Sequence, residues 1–330
     1  MVYIIAEAGV NHNGSFEMAK RLIEVAKEAG VDAVKFQTWK TELLVTPDSQ
    51  LAQYQKVNNT ETTSQFEMLK KLELSYQQFR ELKAYAEEVG IEFLSTPDEK
   101  ESADFLNEIV AVFKIGSGEL TNLPFLKHIA TFGKPVILST GMGSMEEVKV
   151  AVNAISSVLD RDKITLLHAT TQYPTPLEEV NLRAMITLRD YFGLKVGYSD
   201  HTLGIEVSVA AVAMGAEVIE KHFTLDKSLP GPDHKASLDP LELADMVVAL
   251  RNVEKALGNG VKQATSSERE NINIVRKSIV ALMDIRKGEE FNASNLTIKR
   301  PGSGISPDNW DKVIGQIAER DFQKDELIVL

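Results

Sequence analysis

A chain of 330 residues is too long for one small domain and suits an α/β barrel of roughly 250 residues with a further module of about 60. Apolar residues at 43% and charged residues at 25% give an ordinary globular balance, which excludes disorder as the organising state. A net charge of −12 opposes a nucleic-acid surface, and the absence of cysteine excludes disulfides and thiolate metal sites, so any metal must be held by His, carboxylate or ligand oxygens.

From Met1 the chain runs straight into a strand-like stretch, VYIIAEAG from Val2, with an acid at Glu7. It lacks the basic start and cleavable apolar segment of a secretory leader, and no apolar run is long enough for a bilayer, so a cytoplasmic protein without a membrane partner is expected. Asn11, His12 and Asn13 lead to Gly14 and read as a turn and helix N-cap. Apolar spacing of three and four from Phe16 to Ala29, closed by Gly30, predicts the first helix. AVKFQT from Ala33 is the second strand. The long polar stretch from Trp39 to Leu74, rich in Gln, Thr and Asn, reads as an insertion over a barrel mouth.

Six more β-rich runs follow: IEFLSTP from Ile91, VFKIGSGE from Val112, PVILSTG from Pro135, ITLLHATT from Ile164, KVGYSDHT from Lys195 and EVIEKHFT from Glu217. Helical spacing separates them, as from Glu146 to Leu159, with stop glycines at Gly90, Gly133 and Gly215. Such alternation gives a parallel sheet. Eight units, each strand ending in polar residues, favour a closed (β/α)8 TIM barrel over an open doubly wound sheet. The barrel is expected over 1–258 and a linker over 259–278, since Gly258 to Glu270 is rich in Gly, Ser, Thr and charge. The runs RKSIVALMDI, NLTIKRPG and DELIVL predict a small β-rich domain over 279–330.

The C-terminal strand ends of such a barrel build the active site. Alternation puts Lys35 with Gln37, Ser199 with His201, and Glu220 with His222 on shared faces. A buried lysine is costly unless it meets an anion, so Lys35 and Lys114, with Ser117, Ser139 and Ser199, are candidates to surround a phosphate and a carboxylate. The loops KIGSGE and STGM supply glycine amides and hydroxyls for the same cradle. His168, His201 and His222 close three successive strands, a spacing that suits convergence on one ion, with a core role left open for His168. Glu7 reads either as a lysine's partner or as a site residue, Glu119 as a group able to orient water, and Arg300 on pattern alone as a solvated loop arginine.

AEAGVNHNG, VKFQT, FLSTP, KIGSGE, LSTGM, YPTP, GYSDHT, EKHFTLD with PGPDHKAS, and KRPGSG occur in this order across both predicted domains. Together they resemble the N-acetylneuraminate (sialic acid) synthase family, which includes legionaminate and pseudaminate synthases. The resemblance implies a barrel followed by an antifreeze-like (SAF) domain in a homodimer whose swapped small domain covers the partner's barrel mouth. It implies condensation of phosphoenolpyruvate (PEP) with an N-acylated hexosamine, phosphate leaving by C–O cleavage. N-acetylneuraminate from N-acetylmannosamine is the first expectation, and N,N'-diacetyllegionaminate from 2,4-diacetamido-2,4,6-trideoxymannose the alternative.

Carried over by position, His201 and His222 match metal ligands for manganese, with magnesium or cobalt as alternatives. Lys35, Lys114, Ser117, Ser139 and Ser199, with Gln37 adjacent, match the residues gripping PEP. Glu7, Tyr173 and Asp233 match contacts to the sugar, and Arg300 matches an arginine reaching the N-acyl group from the neighbouring subunit, which replaces its bland reading. Glu7, Glu119, His201 and His222 form the expected catalytic set. Thr171 departs from an Asn found in some members, which leaves its phosphate contact open. The enzymatic rival is a lysine Schiff-base aldolase, which would be indifferent to chelators. A non-catalytic sugar-binding protein would lack the histidine pair, and an ice-binding face would need a flat Thr-rich surface that residues 279–330 do not offer.

Overall fold

The computed structural model describes residues 1–51 and 64–330. Two units make up the chain, Met1–Gly258 and Asn259–Leu330. In the first, eight parallel strands carry the architecture: β1 (Tyr3–Gly9), β2 (Ala33–Thr38), β3 (Glu92–Pro97), β4 (Phe113–Ile115), β5 (Val136–Ser139), β6 (Ile164–Ala169), β7 (Lys195–Asp200) and β8 (Val218–His222). Their hydrogen-bonded order is β3-β2-β1-β8-β7-β6-β5-β4, and β3 and β4 lie side by side without a ladder between them. The expected TIM-type barrel is therefore present, with one unlaced seam.

Among the described residues, ten helices alternate with the strands or decorate their connections: α1 (Phe16–Ala29), α2 (Thr41–Leu44), α3 (Gln65–Leu72), α4 (Tyr76–Val89), α5 (Lys100–Leu106), α6 (Leu123–Ala130), α7 (Met145–Ser156), α8 (Arg183–Phe192), α9 (Glu206–Ala213) and α10 (Pro240–Leu257). Local chemistry sets their ends. Ser75 with Gln78, Ser144 with Glu147 and Asp239 with Glu242 form capping boxes that satisfy the first amides of α4, α7 and α10. The apolar stripes of these helices pack on the outward strand faces in one continuous core. Of the stretch read as an insertion, residues 52–63 lie outside the described residues. Trp39, Leu51, Met68 and Leu72 pack with Val10 in a small cluster of their own.

The barrel interior is layered by strand alternation. Ile5, Ala33, Leu94, Ile137, Leu167 and Val218 form one buried apolar floor, with Val112 packed against it. Two residues further along each strand stand Glu7, Lys35, Thr96, Lys114, Ser139, Ala169, Ser199 and Glu220, all buried and all but one polar. Gly197 lies in register with Leu167 and Val218, and a Cβ there would come 2.3 Å from the Val218 carbonyl oxygen and 2.7 Å from Leu167 Cδ2. Gly197→Ala is expected to cost about 1–3 kcal/mol by overpacking, read as a lower midpoint in urea unfolding; an unchanged midpoint would show that the interior has slack.

The second unit holds α11 (Ser266–Val275), β9 (Ser278–Ala281), antiparallel β10 (Leu296–Lys299) and α12 (Trp310–Val313) around Ile279, Ala281, Ile285, Phe291, Leu296, Phe322 and Ile328. The run DELIVL contributes a single bridge, Val280 to Leu327, rather than a full strand. Much of the stretch read as a linker is the helix α11, started by a Thr265–Glu268 capping box within the Ser- and Glu-rich sequence. Among the described residues no helix is long and apolar enough to cross a membrane.

Candidate active site

Parallel register brings the polar layer together. Glu7 on β1 is level with Lys35 on β2 and with His222 on β8. Lys35 Nζ lies 2.6 Å from Glu7 Oε2 and 3.6 Å from Glu220 Oε2, and donates to Thr96 Oγ1 at 2.9 Å. Across the barrel, Lys114 Nζ lies 3.5 Å from Glu220 Oε1, which also accepts from Ser199 Oγ at 2.8 Å. Each of these charged side chains is 5% exposed or less, so each depends on the others to offset lost hydration. Burial opposes ionisation of Glu220, yet Lys114, Lys35 and Ser199 outweigh it and hold the carboxyl at about 2. Burial pushes Glu7 up to about 8, against the Lys35 ammonium and with help from Glu220.

Glu220 was not singled out in sequence, although alternation already placed it beside His222. It is the carboxylate shared by the two lysines. Around them the hydroxyls of Ser139 and Thr171 are buried without hydrogen-bond partners. Ser117 Oγ accepts from the Gly141 amide at 2.9 Å, and a Cβ on Gly141 would come 2.5 Å from Thr171 Oγ1 and 2.8 Å from Ser117 Oγ. Lys35 on β2, Lys114 on β4, Ser139 on β5 and Thr171 just after β6 thus bring two ammonium groups and two unpartnered hydroxyls to one end of the barrel, the materials of an anion cradle.

His201 follows β7 and His222 ends β8, with ring centroids 5.5 Å apart. His201 Nδ1 is oriented by the Thr170 carbonyl oxygen at 2.7 Å, and its Nε2 lies 3.4 Å from Ser199 Oγ. His222 Nδ1 is buried with no hydrogen-bond partner and lies 3.8 Å from Asp233 Oδ2. Burial lowers His201 to about 4 and, with His201 and Lys35 nearby, puts His222 well below the usual imidazole range. Both rings are thus neutral at pH 7, the form that ligates metals. The orphaned His222 nitrogen and the carbonyl-oriented His201 ring fit a divalent ion. Among the described residues no group of three or more His, Cys, Asp or Glu is arranged for a metal, so the remaining ligands would be oxygens of substrate or water.

His168 does not join the pair. Leu167 faces the barrel interior, so alternation turns His168 outward, where Nε2 meets the Val180 carbonyl oxygen at 2.7 Å. The same outward parity hides a brace that sequence reading missed. Lys221 Nζ lies 3.0 Å from Asp200 Oδ2 and donates to the Thr202 carbonyl oxygen at 2.6 Å, while Asp200 also accepts from Thr202 and Ser208. That buried group ties the turn carrying His201 to the strand carrying His222.

Tyr173 lies over the histidines, its ring centroid 4.1 Å from His201 and 5.5 Å from His222. Gln37 is half-buried, with Nε2 3.5 Å from Glu7 Oε1. Burial raises the Asp233 carboxyl to about 6. Glu119 sits in a turn after β4, four strands from β8 in the barrel order, and accepts from Asn122 Nδ2 at 2.6 Å. With Asp98, which burial and Glu119 push up to about 7, it lines a cavity of about 510 Å³. Arg300 belongs to the second unit, exposed, with Nε donating to the Val275 carbonyl oxygen at 3.0 Å.

The NeuB family profile matches residues 22–262 and the SAF domain profile residues 276–330. An N,N'-diacetyllegionaminic acid synthase of Campylobacter jejuni is 53% identical over 98% of this chain and 98% of its own length. A second, from Legionella pneumophila, is 49% identical over 95% of this chain and 89% of its own. Among solved structures, the N-acetylneuraminic acid (sialic acid) synthetase of Leptospira borgpetersenii in complex with citrate superposes with a TM-score of 0.72. It is 35% identical, over 82% of this chain and 90% of that one. On barrel, strand-end residues and full-length likeness together, the chain belongs to the NeuB family of sialic and legionaminic acid synthases.

Proposed function

We propose that the protein condenses PEP with 2,4-diacetamido-2,4,6-trideoxymannose to give N,N'-diacetyllegionaminate and phosphate, in the cytoplasm. The observation that carries the acceptor is the 53% identity to a legionaminic acid synthase, against 35% to a sialic acid synthetase. It favours the diacetamido sugar over N-acetylmannosamine, the first expectation from sequence. The cradle supports PEP as the donor, since a phosphate and a carboxylate are the groups that two buried lysines and free hydroxyls can hold.

A divalent ion held by His201 and His222, manganese in the first instance, would polarise the aldehyde of the open-chain sugar as a Lewis acid. Lys35, Lys114, Ser117, Ser139, Thr171 and Ser199 hold PEP so that carbon 3 faces that aldehyde. The enol double bond supplies the electron pair of the new carbon–carbon bond, and the aldehyde oxygen becomes a hydroxyl. Glu7, level with both His222 and Lys35 and biased by burial toward its acid form, supplies that proton. Water oriented by Glu119 adds to carbon 2, and the tetrahedral adduct expels phosphate by C–O cleavage to leave the keto acid, one of the water's two protons returning to Glu7 and the other leaving with the phosphate. Tyr173, Asp233 and Gln37 position the sugar. Arg300 from a second copy, in a swapped homodimer, reaches an N-acyl group.

Initial rates of phosphate release from PEP with manganese should favour the diacetamido sugar over N-acetylmannosamine and should stop with chelator. Preference for N-acetylmannosamine would make the protein a sialic acid synthase. Chelator-resistant release would sink the metal assignment.

A further inference from the structure

Past β8, the chain loops from Phe223 to Asp239 before α10, and this loop carries Asp233. A polar network without exposed members pins it to the turn between β1 and α1. Asn11 Nδ2 donates to the Phe223 carbonyl oxygen at 2.8 Å and to Ser237 Oγ at 2.9 Å. Ser237 Oγ in turn donates to the Asp233 carbonyl oxygen at 2.7 Å. His234 spans the gap: its Nδ1 lies 2.6 Å from Thr224 Oγ1, and its Nε2 lies 3.1 Å from Asn13 Oδ1. Because Asn13 Oδ1 can only accept, Nε2 carries the proton and Nδ1 accepts from Thr224. His234 is fully buried, and packing around it leaves no slack, since a Cβ on Gly231 would come 2.7 Å from His234 Cδ2 and 3.0 Å from Asn13 Oδ1.

We infer that His234 is a positioning residue, clamping the β8 loop to the β1 turn and so fixing the Asp233 carboxylate opposite His222 for recognition of the sugar. The inference rests on the proposed sugar role of Asp233. A ring is needed because its two nitrogens reach opposite loops at once. Neither Asn nor Gln does so, but Gln keeps the donor toward Asn13, the contact that crosses between the loops.

Hydrogen–deuterium exchange over residues 223–239, unfolding midpoints, and initial rates with each substrate varied would be compared for wild type, His234→Ala and His234→Gln. In His234→Ala, loop exchange and the sugar KM should each rise about tenfold while the PEP KM holds, and Gln should restore much of both. Unchanged loop exchange, or faster exchange across the whole barrel with both KM values rising together, would overturn the clamp. If wild type turns over neither sugar, the acceptor assignment fails and the exchange data alone decide the clamp.

Discussion

Glu220→Ala is expected to destabilise the barrel by about 3–5 kcal/mol, the usual loss when one partner of a buried ion group is removed. The carboxylate lies within 3.5 Å of Lys114 and 3.6 Å of Lys35, and Lys114 has no other carboxylate at that range among the described residues. Without it, Lys114 must deprotonate or draw water into a layer that rests on an apolar floor. The size of the loss also tells structure from recognition. Added PEP or inorganic phosphate should restabilise Glu220→Ala more than it does wild type, because the anion then supplies the missing charge. Urea unfolding with and without phosphate is the measurement. An unchanged midpoint would mean that the lysines are solvated rather than paired.

His222→Ala is expected to lower turnover by about a thousandfold or more, the scale of losing transition-state charge stabilisation. Direct titration with manganese should show binding weakened in parallel, while circular dichroism stays unchanged, because the imidazole's Nδ1 has no hydrogen-bond partner whose loss would unfold anything. Full activity of the metal-stripped variant would remove the histidine pair from the chemistry.

Strand alternation made the placement of several candidate residues legible in the sequence. Lys35, Lys114, Ser139, Ser199 and Glu220 stand in the buried polar layer because each is two residues beyond an interior position of its own strand. The same rule, applied strictly, would have turned His168 outward, since Leu167 cannot face inward together with it; counting histidines at strand ends lost that information. Glu220 was overlooked for a chemical reason. An unpaired lysine suggests a ligand, but it also demands a counter-charge while the ligand is away. The Asp200–Lys221 brace and the His234 clamp were not legible, because each joins segments whose neighbourhood is set by packing rather than spacing. Helix α11 was legible in its Thr265-to-Glu268 spacing, hidden by a composition that resembles a loop.

The shared carboxylate has one more consequence. Glu220, held as an anion by Lys114, Lys35 and Ser199, occupies the space between two cations, the place that the proposed reading gives to the donor's phosphate. On that reading the protein carries its own competitor, tethered and always present. A singly charged solute such as chloride or acetate offers the lysines nothing that the tethered carboxylate does not already give. A solute bearing both a phosphate and a carboxylate brings more charge than the incumbent and can draw the ammonium groups outward. On the proposed reading, charge number is then screened before shape, because only a multiply charged ligand offsets the cost of drawing the lysines from Glu220.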